Sequence, residues 1–119
     1  MNEKFAEKIF NAVVKSHVNI YREMYVKKAD LDATNDYWKN ASSLFINMSE
    51  AEKEIFFNIL EQVTIDAISG VFGVLDDSST LEGENINIDV TVDGEMNEMG
   101  LQDSFLLFVE NYKKAMSSK

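Results

Sequence analysis

Cysteine and proline are both missing from this 119-residue chain, and glycine appears only five times. Without cysteine there are no disulfides, no thiolate nucleophile, no cysteine-ligated zinc and no iron–sulfur cluster. A small secreted domain often depends on disulfides, so their absence points to a reducing compartment, the cytoplasm. Without proline, nothing interrupts a helical pattern from within. The five glycines are scattered, and none is followed by the Lys-Ser/Thr pair of a phosphate loop. No Gly-x-Ser-x-Gly elbow occurs. No uninterrupted apolar run approaches the roughly 20 residues that span a bilayer. Met1-Asn2-Glu3-Lys4 opens a charged amphipathic stretch and does not read as a signal peptide.

Positive charge is missing from half of the chain. Residues 54–112 contain no Lys or Arg against thirteen Asp and Glu, whereas residues 1–53 balance eight of each sign. The net charge of -10 therefore comes from the second half. Such a field repels phosphate backbones and anionic membrane surfaces and attracts a basic protein or a cation. It also keeps a protein soluble with no partner at all.

What is present is enough to fold. The chain is 45% hydrophobic, with eight Phe, four Tyr and one Trp, and its length fits one domain over 1–119. Phe5, Ile9, Val13, His17, Ile20 and Met24 recur at helical spacing. With Phe10, Val14, Val18, Tyr21 and Tyr25 beside them, they predict a first helix over 3–27. Lys27 to Thr34 reads as a turn. A shorter helix follows over 35–47, capped by Thr34 or Asn35, with Tyr37, Trp38, Ala41, Leu44 and Phe45 facing inward. Ser49 and Glu52 form a capping-box pair that starts a third helix. Phe56, Ile59, Leu60, Val63, Ala67, Ile68 and Val71 continue it. From Val63 onward it is apolar almost all round, which places it through the middle of the domain. Gly70 and Gly73 weaken its end, so 71–75 could instead be extended.

Asp76 to Thr80 has loop composition. Ile86, Ile88, Val90 and Val92 then alternate with polar residues, which predicts a strand closed by an Asp93-Gly94 turn. That strand needs a partner from Thr80–Glu82, from Val71–Leu75 or from a second copy of the chain. Leu101, Phe105, Phe108, Val109, Tyr112 and Met116 mark a last helix. The expected fold is α+β and predominantly helical: a small four-helix domain with a short β-hairpin or single strand near residues 80–93.

The candidate sites are few. His17 is the one histidine and falls on the apolar stripe of the first helix; Asp66 falls in the apolar run of the third. Both are candidate buried polar groups. Asp66 could pair with Lys15, His17 or Arg22, or could share a polar strip with Gln62 and Ser69. Asp76, Asp77, Glu82, Glu84, Asp89, Asp93 and Glu95 form a candidate acidic interaction surface. It either meets a basic partner or protects a strand edge from recruiting other chains. The acidic loop fails as a calcium site, because counting from Asp76 puts Leu81 at position six and Asn87 at position twelve. No catalytic pair, cofactor motif or metal site is visible. The pattern favours a non-enzymatic interaction or inhibitor-like module with a basic partner. The alternatives are a homodimeric structural or regulatory protein, and a small-molecule binder or enzyme built on His17, Asp66 and the tyrosines.

Overall fold

In the computed structural model, residues 2–27, 35–76, 83, 88–96 and 99–117 are described. The first helical rod is α1 (Asn2–Ile9), a π-helical segment (Phe10–Lys15) and α2 (Ser16–Lys27), joined without a break. Three further helices follow, α3 (Asp36–Ile46), α4 (Glu50–Asp76) and α5 (Leu101–Ser117), with a two-stranded hairpin of β1 (Thr91–Val92) and β2 (Glu95–Met96) before the last. This is the small, predominantly helical α+β domain that the sequence predicts.

Local chemistry sets the helix starts. The Asn35 side chain accepts from the Tyr37 amide at 2.8 Å. Ser49 and Glu52 cap α4 reciprocally: the Ser49 amide donates to Glu52 Oε1 at 2.8 Å, and the Glu52 amide donates to Ser49 Oγ at 3.1 Å. At the hairpin, Asp93 (φ 53°) and Gly94 (φ 81°) both take positive φ. That is the two-residue turn whose twist matches paired strands. It pairs Thr91 with Met96 and Val92 with Glu95, antiparallel.

This hairpin corrects the expected pairing. Within the chain the partner of the strand is not Val71–Leu75 but Glu95–Met96, immediately across the turn. Val71–Leu75 is helical, because α4 continues to Asp76. Ile88 to Val90 precede the ladder without regular structure, while Thr80–Glu82, Ile86 and Asn87 lie outside the described residues.

The π-helical segment explains which face of the first rod is buried. Ala6, Phe10 and Val14 are buried and spaced by four. Residues four apart share a face of an ordinary α-helix with a slow drift, and the wider π turn over Phe10–Lys15 removes that drift. Downstream of it, Val18 and Tyr21 are half-buried and Tyr25 is buried, whereas His17 and Ile20 point to solvent.

The buried side chains form two clusters. Phe10, Val14, Ile65, Phe72, Leu101, Phe105 and Val109 make the larger, where the first rod, the C-terminal half of α4 and α5 meet. Phe10 lies 4.7 Å from Tyr112 and 5.4 Å from Phe108, ring centre to ring centre. Tyr25, Phe45 and Phe57 make the smaller, flanked by Tyr21, Trp38 and Phe56. Burial and the neighbouring Tyr37 and Tyr21 push the Tyr25 hydroxyl above its ordinary titration range. Tyr37 itself is exposed, outside the core margin expected of it.

Arg22 ties α2 to α4 beside the smaller cluster. Its guanidinium forks onto both Glu54 oxygens at 3.2 Å and stacks 4.3 Å from the centre of the Phe57 ring. The hydrogen bonds and charge of Arg22 hold the Glu54 carboxyl below its ordinary 4.5. A depressed carboxylate stabilises the fold above its unfolded pKa and loses that contribution as pH falls through the folded one. Arg22→Ala is therefore expected to return the Glu54 titration, followed by carboxyl NMR, to about 4.5. An unmoved titration would show that the fork does not persist in solution.

Candidate functional site

Asp76 ends α4, and its side chain turns to the start of α5. Oδ1 accepts from the Leu101 amide at 2.9 Å and Oδ2 from the Gln102 amide at 2.8 Å. These amides belong to the first turn of α5 and have no partner within that helix. The carboxylate also sits favourably at the positive end of the α5 dipole. Gly100 makes the approach possible: its φ is +95°, and a Cβ there would stand 3.1 Å from Asp76 Oδ2. Next to it, Gln102 Nε2 donates to Ser69 O at 3.0 Å and Ser69 Oγ at 3.2 Å. A Cβ on Gly73 would come within 2.9 Å of that nitrogen. The glycine that seemed to weaken α4 is where the Gln102 side chain of α5 lies against it. Asp76→Ala is expected to lower stability by about 0.5–2 kcal/mol in denaturant unfolding, the usual range for a lost N-terminal cap. A loss under about 0.5 kcal/mol, no more than an ordinary surface change, would contradict the capping role.

Asp76 is therefore a structural cap more than part of a free acidic surface. Of the other acidic candidates, Asp89, Asp93 and Glu95 are exposed on and beside the hairpin, and among the described residues no ion pair reaches them. Asp77, Glu82 and Glu84 lie outside the described residues. Asp76, Asp89 and Asp103 border a cleft of about 420 Å³ with Ile88, Met96 and Leu101. Among the described residues no group of three His, Asp or Glu is placed to hold a metal ion. A second, larger groove of about 820 Å³ runs between α1 and α5, bordered by Glu3, Glu7, Met99, Leu107 and Phe108.

The two expected buried polar groups are both at the surface. His17 is exposed because the π turn rotates it off the buried line, and its Nδ1 lies 2.8 Å from Val13 O. Asp66 is exposed and accepts from Gln62 Nε2 at 2.9 Å. Lys113 Nζ in turn donates to Gln62 Oε1 at 2.8 Å. Asp66 thus shares a polar strip with Gln62, while Ser69, expected on that strip, is buried under Gln102. No hydrogen bond or ion pair joins His17 to Asp66 among the described residues, so the two do not form an acid–base pair.

The most unusual surface lies on α4. Its inner side is committed to the two clusters through Phe57, Ile65 and Phe72. Its outer side carries Ile55, Ile59, Val63 and Val71 at 57, 55, 57 and 58% exposure. Ala67, Gly70 and Val74 are exposed along the same side. The ridge from Ile55 to Val74 is about 29 Å long at 1.5 Å per residue. Only Glu61 and Asp66 are charged within those positions. Asp66, Gln62 and Lys113 border it as a polar rim.

Sequence reasoning placed Ile59, Val63 and Val71 in a core that wraps the helix. The other helices cover one side of it alone. The available signal was one of supply: three further helical rods cannot surround a 27-residue helix that is apolar on nearly every side. By length and composition alone α4 could cross a membrane, and 22% of its apolar window is buried in the fold.

Neither a protein-family model, a curated protein nor a solved structure matches the chain.

Proposed function

We propose that the chain is a non-enzymatic protein–protein interaction module whose working surface is the outer face of α4. One observation carries this reading: a continuous ridge from Ile55 to Val74 stays exposed on a helix whose opposite face is already packed. Contiguous apolar surface with a polar rim is what partners bury, and water penalises leaving it bare. The test is a photoreactive residue placed at Ile59, at Val63 and, as a control, at the exposed Lys8. Discrete covalent protein adducts are expected from the first two positions and none from Lys8. Absence of adducts at Ile59 and Val63 would remove the reading.

A second reading rests on the hairpin. Asp89, Asp93 and Glu95 are exposed and, among the described residues, take part in no ion pair. They would steer a basic protein partner, as inhibitor-like modules do, with an association rate that falls steeply with salt. Replacing the three by Asn and Gln should weaken that salt dependence while leaving the α4 adducts in place.

A further inference from the structure

Resting on the reading of α4 as a binding surface, we propose that its occupant is a second copy of this chain, seated antiparallel so that α4 packs on α4 about a two-fold axis. The distribution of side-chain size along the ridge points to this arrangement. The large residues Ile55, Ile59 and Val63 occupy its first half, and the second half holds the small ones, Ala67 and Gly70, with Val71 at its edge and Val74 at its end. An antiparallel pair sets Ile59 of one copy over Gly70 of the other, Val63 over Ala67, and Ile55 over Val74. The bulges Ile59 and Val63 then each meet a shallow place, Ile55 packs on Val74 at either end, and the two-fold repeats every contact. A parallel pair would set Ile59 on Ile59 and leave Gly70 facing Gly70 across a gap. A Cβ built on Gly70 meets nothing within 4 Å, so its own chain leaves that shallow place empty.

The surface is larger than the mass requires. A compact protein of 13.5 kDa exposes about 6,500 Å², whereas this chain exposes 8343 Å², and the bare side chains of the α4 ridge are one part of the difference. The charge of -10 opposes self-association elsewhere, but the ridge carries almost none of it. Asp66 is the exception, since the two Asp66 carboxylates come to lie about 10 Å apart across the axis. A bilayer is the poorer occupant. Spanning it would strip Phe57, Ile65 and Phe72 from both clusters and break the Asp76 cap on α5.

Sedimentation of the full chain over a wide concentration range, with far-UV circular dichroism as a check on folding, tests the proposal. The expected species has twice the 13.5 kDa mass of the chain. Ile59→Lys should weaken dimerisation at least about 30-fold, the effect of losing one interface hot spot. Gly70→Leu guards against a folding artefact, because it favours the helix yet fills the seat of Ile59. It should keep full helicity and still weaken the dimer at least about 10-fold. Asp66→Asn should tighten it about 2- to 10-fold by removing repulsion across the axis. A monomer at every concentration overturns self-pairing, as does partition onto uncharged phosphatidylcholine vesicles through the same ridge. Photo-adducts at Ile59 with a protein of another mass would then leave the interaction reading standing without this partner. No adducts at all would end both.

Discussion

Phe105→Ala is expected to lower the unfolding free energy by about 3–5 kcal/mol, the cost of removing a fully buried aromatic ring from a core that cannot collapse around the gap. Phe105 is 0% exposed and meets Phe72 edge-on at 5.7 Å. It stands where α5 faces both α4 and the π-helical segment, inside the cluster of Phe10, Val14, Ile65 and Leu101. Domains of this size hold about 5–15 kcal/mol in total. The variant should therefore unfold at a much lower denaturant midpoint, or be partly unfolded in buffer. A loss below about 1.5 kcal/mol would mean that the cluster repacks easily and that α5 is not anchored through this ring.

Phe57→Ala should produce an effect of similar size, about 3–5 kcal/mol, confined to the other end of the molecule. Phe57 is buried against Phe45 and Phe56 at 5.5 and 5.4 Å and lies under the Arg22 guanidinium. It belongs to the smaller cluster, which shares α4 with the larger one but none of its buried side chains. Trp38 packs on the smaller cluster and is the one tryptophan of the chain. Its fluorescence reports that end, while far-UV circular dichroism follows all the helices. In the Phe57→Ala variant the fluorescence transition should move to lower denaturant than the dichroism transition. Coincident transitions would show a single cooperative unit and contradict the separation of the two clusters.

The elements that could be read from sequence are those specified by neighbours along the chain. The Ser49–Glu52 box, the Asn35 cap, the Asp93-Gly94 turn and the apolar periodicity of α5 all act within four residues, and each is found where its pattern places it. What was not legible depends on distant partners. The π turn leaves no mark of its own in the sequence, because four-residue steps such as Ala6 to Val14 suit an ordinary α-helix equally, and it is what turns His17 outward. The role of Asp76 depends on amides 25 and 26 positions away, so composition alone reads it as one more loop carboxylate. Gly73 reads as a helix weakness until Gln102 is seen against it. The α4 ridge was misread for the same reason. Hydrophobicity gives the preference of a side chain for burial, but not whether the fold has anything left to bury it with.

Because the chain has no cysteine, introduced thiols report on the α4 pairing without background. Ile59→Cys and Gly70→Cys chains, prepared separately and mixed under mild oxidation, test it most directly. Within one helix these positions are about 16 Å apart, far beyond the 4.4–6.8 Å Cα separation that a disulfide spans. Antiparallel packing of α4 on α4 predicts a covalent dimer that forms in the mixture and scarcely at all in either chain alone. Cross-linking of Ile59→Cys to itself, with none gained on mixing, would contradict that packing.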